Sequence, residues 1–229
     1  MKKYAILGFV MCLAFVSVSM AQKKPAAKPF FTSGEYNSIH LSSKESGDYF
    51  GMEVFLTESD GQLFAVVTTV EGGFSTPKLV EAKQSGKDMR TVEFTLPDDN
   101  GPRTYKGTVT ALGFNVAGPN GVKYPMKRTC GHVFSDITMG KGGDYGGMEV
   151  YLAEAGGDSY VLVTIAEGVM KRPVLVPAKV ALKGGEILGF DFALPGDNGE
   201  RKFKGKYTKT GMTLTEGKQS TALKSKCYK

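Results

Sequence analysis

GDYFGMEVFLTESDGQLFAVVTTVEG, residues 47–72, returns as GDYGGMEVYLAEAGGDSYVLVTIAEG at residues 143–168, with no gap and about half the positions identical. A two-residue period runs through both copies. In the first, Phe50, Met52, Val54 and Leu56 share one face, and Tyr49, Gly51, Glu53 and Phe55 share the other. In the second, Met148, Val150 and Leu152 repeat the apolar face, and Tyr145, Gly147, Glu149 and Tyr151 repeat the mixed one. Turn residues follow (Ser59-Asp60-Gly61, Gly156-Gly157-Asp158), and then a β-branched run, so each stretch reads as a β-hairpin. Burying one inward side chain contributes roughly 1.5–3 kcal/mol. An apolar face of that length holds the register, because a one-residue slip would turn all of it outward.

The copies stay in step beyond the hairpin. Pro77-Lys78-Leu79-Val80 matches Pro173-Val174-Leu175-Val176, and Leu96-Pro97 with Asn100-Gly101 matches Leu194-Pro195 with Asn198-Gly199. Tyr105-Lys106-Gly107 matches Phe203-Lys204-Gly205, and Cys130 matches Cys227. The period, close to 97 residues, is too long for a solenoid or propeller unit, which runs to about 20–50 residues. The chain therefore divides into repeat 1 at 32–130 and repeat 2 at 131–229. In repeat 1 the pattern predicts about eight strands, near 36–42, 49–58, 63–70, 78–83, 91–96, 103–111, 114–117 and 122–128. Hairpin-like turns such as Asn100-Gly101 and Pro119-Asn120-Gly121 join them, and no ten-residue stretch has a helical period. The fold class is all-β. An antiparallel meander of eight strands closes into a barrel, which leaves no bare edges, and a β-sandwich is the alternative. In outline such a barrel resembles small calycin-like barrels such as lipocalins and avidin. None of their motifs is present, and Trp is absent, so the resemblance covers shape alone.

Residues 1–21 have the layout of a signal peptide: Lys2 and Lys3, an apolar run from Ala5 to Val18, and Ser19-Met20-Ala21 before the expected cleavage. The apolar run is short for a membrane span, so no transmembrane anchor is expected after cleavage. Residues 22–31 are a Lys/Pro/Ala linker. The expected location is outside the cytoplasm, secreted or periplasmic. The net charge of +6 comes mostly from Lys2, Lys3, Lys23, Lys24 and Lys28, which leaves 24 basic against 23 acidic residues in the rest. Nucleic acid is thereby excluded as a partner. The two repeats differ in sign, with 10 basic and 12 acidic residues in the first and 14 and 11 in the second, so they are expected to pack on each other.

Cys130 and Cys227 are the candidate disulfide of an exported chain, worth roughly 4–5 kcal/mol by loop closure. Equivalent positions meet only if the repeats pack about a local two-fold, and separate thiols or an intermolecular link are the other readings. No metal or cofactor is expected, since two cysteines with His40 and His132 supply no close ligand pair.

The candidate ligand-binding residues are Tyr49, Glu53, Glu71 and their counterparts Tyr145, Glu149 and Glu167. Glu53 and Glu149 sit among aromatics on the mixed face, as a carboxylate for a sugar hydroxyl or a cation would. The plainer reading is a solvated outer face with each carboxylate paired across the strand. Glu71-Gly72 and Glu167-Gly168 read as strand ends; paired with Glu53, Glu71 would give the two carboxylates of a glycosidase. Gly47-Asp48-Tyr49 and Asp98-Asp99-Asn100-Gly101 read as turns, the latter lacking the alternating spacing of a calcium loop. Lys202, Lys204 and Lys206 form a lysine ladder on one strand face, fit for a polyanion or an anionic lipid or else a solvated edge. These readings predict an exported, non-enzymatic protein that binds a small apolar molecule among Val92, Phe94, Phe190 and Phe192. The alternative is a module that recognises protein or glycan through an outer aromatic and acidic face.

Overall fold

The computed structural model describes residues 33–41, 47–183, 186–197 and 199–228. The signal segment 1–21 and the linker 22–31 lie outside them. The first repeat forms β1 (Gly34–Asn37), β2 (His40–Leu41), β3 (Tyr49–Ser59), β4 (Gln62–Phe74), β5 (Lys78–Ser85), β6 (Thr91–Leu96), β7 (Arg103–Val109), β8 (Gly113–Ala117) and β9 (Lys123–Thr129). The second forms β10 (Val133–Ser135), β11 (Thr138–Met139), β12 (Tyr145–Ala155), β13 (Asp158–Met170), β14 (Val174–Lys183), β15 (Glu186–Leu194), β16 (Arg201–Thr208), β17 (Gly211–Glu216) and β18 (Gln219–Ser225). A 3₁₀ turn, Pro119–Gly121, is the one helical element among the described residues.

From β3 to β9 every strand pairs with the next, antiparallel, and β1 pairs with both β9 and β3. That double pairing closes an eight-stranded barrel and decides against a sandwich. β10 closes the second barrel in the same way, against β18 and β12. The opening hairpins carry the registers that the alternation predicts, Met52 opposite Thr69 and Met148 opposite Ile165.

The expected first strand, 36–42, is instead two strands with a break at Ser38-Ile39. The Asn37 side chain accepts the Ile39 N–H at 2.7 Å, and Ser38 turns to bond both backbone groups of Met52. Gly51 makes this fit: its φ is +135°, and a Cβ there would stand 2.6 Å from the Ser38 carbonyl oxygen. The second barrel repeats the device with Asp136 and Gly147. A second correction concerns Glu71-Gly72 and Glu167-Gly168. They do not end their strands; Gly72 and Gly168 take φ +78° as β4 and β13 run on to Phe74 and Met170.

Three apolar clusters follow. Tyr36, Met52, Val54, Leu56, Phe94 and Phe114 are among those filling the first barrel. Phe134, Val150, Phe190, Phe192, Phe203 and Met212 do the same in the second. The third cluster joins the barrels: Phe55, Val66, Val133, Tyr151, Ala153 and Leu162. Phe55 and Tyr151, at equivalent places in the two copies, stack with ring centroids 4.2 Å apart. The mixed faces of the two opening hairpins thus cover each other about a local two-fold. Cys130 and Cys227 are joined in a disulfide, with Cα atoms 5.2 Å apart.

Candidate functional site

The structure separates the six predicted site residues into three pairs. Glu53 and Glu149 lie in the seam between the barrels, which overturns the solvated-face reading. The Tyr151 hydroxyl donates to Glu53 at 2.7 Å, and Asn37 donates to its other oxygen at 3.1 Å. Glu149, 3% exposed, accepts from Thr57, Lys226 and Tyr228, the last two at 2.8 and 2.7 Å. Burial lifts the Glu53 carboxyl above its ordinary range and raises the Tyr151 hydroxyl well above its own. Next to them Glu35, which sequence reasoning missed, is buried and accepts both the backbone N–H and the Nδ1 of His132, each at 3.1 Å. That hydrogen bond raises the His132 pKa above 6.5. No local pattern marks Glu35, because its partner lies 97 residues away in the other barrel.

Tyr49 and Tyr145 lie at the outer ends of the hairpins and are half-exposed; the Tyr49 ring is 6.1 Å from that of Phe74. Glu71 and Glu167 occupy a third place, the open ends of the barrels. Since β3 and β4 alternate, Glu71 stands on the inner side of the wall while Glu53 faces the seam. The carboxylate pair of a glycosidase is not formed.

At the first barrel's end Glu71, Phe74, Lys78, Leu96, Pro97, Asp98, Arg103 and Tyr105 are among the residues around a cleft of about 350 Å³. Arg103 bridges Asp98 at 3.2 Å and Glu71 at 3.6 Å. The equivalent end of the second barrel, with Val163, Ile165, Glu167, Lys171, Leu194, Pro195 and Arg201, is wider, about 480 Å³. A further hollow of about 250 Å³ adjoins it, sharing Ile165, Glu167 and Arg201 and reaching Met148, Phe203, Leu214 and Thr221. Two substitutions between the copies account for this room. Tyr105 and Tyr124, with ring centroids 6.2 Å apart, stand where the second copy has Phe203 and Thr221. Burial raises the pKa of both tyrosines, so both stay protonated donors.

In the second mouth Arg201 lies 5.3 Å over the Phe203 ring and binds Glu216 through two hydrogen bonds of 2.7 and 2.8 Å. Lys171 bonds Glu167 and holds its carboxyl below the usual range; Arg201 does the same for Glu216. The site is therefore a charged rim, fixed cation against fixed anion, over an apolar floor. Such a rim orients a polar ligand end, and the floor takes an apolar body. Of its residues, sequence reasoning named Glu167 alone as a ligand candidate, and Arg201, one residue before the lysine ladder, was not singled out.

The barrel interiors hold side chains. Val92, Phe94, Phe190 and Phe192 are all buried, with Phe94 on Tyr105 at 5.4 Å, Phe190 on Phe192 at 5.9 Å and Phe192 on Phe203 at 5.0 Å. Eight strands enclose a space that side chains can fill. Among the described residues no group of three or more His, Cys, Asp or Glu is gathered as a metal site requires. No protein-family model, curated protein or solved structure matches this chain.

Proposed function

We propose that this is an exported, non-enzymatic binding protein whose second barrel takes a small molecule at its open end. The ligand has an apolar body, seated on Met148, Ile165, Phe203 and Leu214, and a charged or hydrogen-bonding end held by Arg201, Glu167 and Lys171. One observation carries the reading: the second copy replaces Tyr124 by Thr221 and opens a hollow beneath a charged rim. The oxidised Cys130–Cys227 pair supports export, since such bonds persist in oxidising compartments.

Native mass spectrometry of the protein purified from its own host tests this. The expected result is a reproducible excess mass that leaves on denaturation and is absent from the Thr221→Tyr variant, which restores the first copy's plug. A bare chain, or the same excess mass in that variant, would refute the mouth as the site. A second reading, a surface-interaction module, rests on Tyr49, Phe50 and Phe74, each about two-fifths exposed at one end of the first barrel. A bare dimer in the same spectrum would favour it.

A further inference from the structure

The two barrels also differ on the outer wall across β14, β15 and β16, where the lysine ladder lies. In the first barrel the corresponding wall is closed by its own side chains. Thr95 and Thr104, paired across β6 and β7, share a hydrogen bond of 3.0 Å, and in the next row Lys106 binds Glu93 at 3.0 Å. The second barrel carries Ala193 and Lys202 in place of the threonines and Asp191 and Lys204 in place of the ion pair. Alanine leaves its half of the row, beside Lys202, without the hydroxyl partner that Thr95 supplies, and aspartate is one methylene shorter than glutamate. The result is a groove of about 640 Å³ lined by Pro177, Ala178, Lys179, Asp191, Ala193, Lys202 and Lys204, among others.

The charges in this groove are unbalanced. Lys179 and Lys204 flank Asp191 in one row, and Lys202 stands in the next, three ammonium groups to one carboxylate. Among the described residues none of the three lysines forms an ion pair, whereas their counterpart Lys106 does. Between the lysines the outward lining is small and apolar, Pro177 and Ala193, and the lysine stems add methylenes. An inorganic anion would use the charges and waste the floor; a neutral chain would do the reverse.

We propose that this groove binds a single-chain anionic amphiphile, monomeric in solution, with its carboxylate or phosphate head on Lys179, Lys202 and Lys204 and its aliphatic chain along Pro177 and Ala193. The site is separate from the barrel mouth. It lies on the outside of the wall and shares no residue with the mouth except Phe203, whose ring faces inward.

The test is calorimetric titration of the purified protein with dodecyl phosphate below its micelle concentration. Dodecanol, inorganic phosphate and vesicles of phosphatidylcholine with phosphatidylglycerol serve as separate arms. One saturable site is expected for dodecyl phosphate, with dodecanol and inorganic phosphate each at least tenfold weaker. Affinity should fall at least tenfold in Lys202→Glu/Lys204→Glu. It should fall likewise in Ala193→Thr/Lys202→Thr, which refills the groove as the first barrel does. Thr221→Tyr should leave it unchanged, which separates this proposal from the mouth reading. Equal affinity for dodecanol, indifference to both double variants, loss in Thr221→Tyr, or binding to anionic vesicles but not to the monomer would each overturn it.

Discussion

Glu53 and Glu149 occupy the same place in the two copies, yet their partners differ. Lys226 sits against Glu149 at 2.8 Å, while Glu53 has only neutral donors, Tyr151 and Asn37. Desolvation is therefore the larger effect on Glu53 and lifts its pKa above 4.5. His132 is raised as well, chiefly by its hydrogen bond to Glu35. Both groups bind their proton more tightly in the folded chain, so their contribution is full below the unfolded values of about 4.5 and 6.5 and is lost as pH rises through the folded ones. Glu167 and Glu216 have the opposite sign, since their lowered values stabilise above the ordinary carboxylate range and fail in acid. Both lie at the exposed rim, so their effect is small. The melting temperature is therefore expected to be highest near about pH 5 and to fall toward about pH 8. His132→Asn should flatten that fall above about pH 6.5. Differential scanning calorimetry across this range decides it, and an unaltered slope in the variant would refute the assignment.

At the level of elements, the break between β1 and β2 shows how a strand pattern and a backbone contact compete. Residues 36–42 read as one strand, although Asn37 and Ser38 are both polar and the alternation changes phase there, from Tyr36 to Ile39 and Leu41. The break comes from the partner strand, where Gly51 lets the Ser38 carbonyl approach to a distance no Cβ tolerates. Asn37, whose side chain captures the Ile39 N–H, was the readable half of the signal. Gly51→Ala combines this clash with φ +135°. A cost of about 1–3 kcal/mol is expected. Urea denaturation measures it, and a change within about 0.5 kcal/mol, the usual range for a neutral surface substitution, would show that the turn yields freely.

Across the whole molecule, the disulfide and the aromatic seam act together. The bond closes a separation of 97 residues between the ends of the two barrels, and the Phe55–Tyr151 stack lies on the same local two-fold. Replacing both cysteines by serine is expected to lower stability by about 2–5 kcal/mol, since the denatured chain regains the freedom of that loop. Each barrel is closed by its own strands, so the far-ultraviolet circular dichroism should be unchanged. A lost β signal would mean that the barrels depend on the bond.

Strand alternation, turn residues and a 97-residue echo were enough to read two all-β repeats and to place their cores, because a two-residue period states which side chains share a face. It does not state what covers that face. Glu53, Phe55, Glu149 and Tyr151 read as an outer surface in either copy alone, and only the packing of one barrel on the other makes them a seam. The mouth was half legible: Glu167 stood out, but Arg201 and Thr221 gain meaning only when closure of the barrel brings β13, β16 and β18 to one end. Local periodicity is a property of neighbours in sequence, whereas burial, charge pairing and open volume belong to residues far apart along the chain.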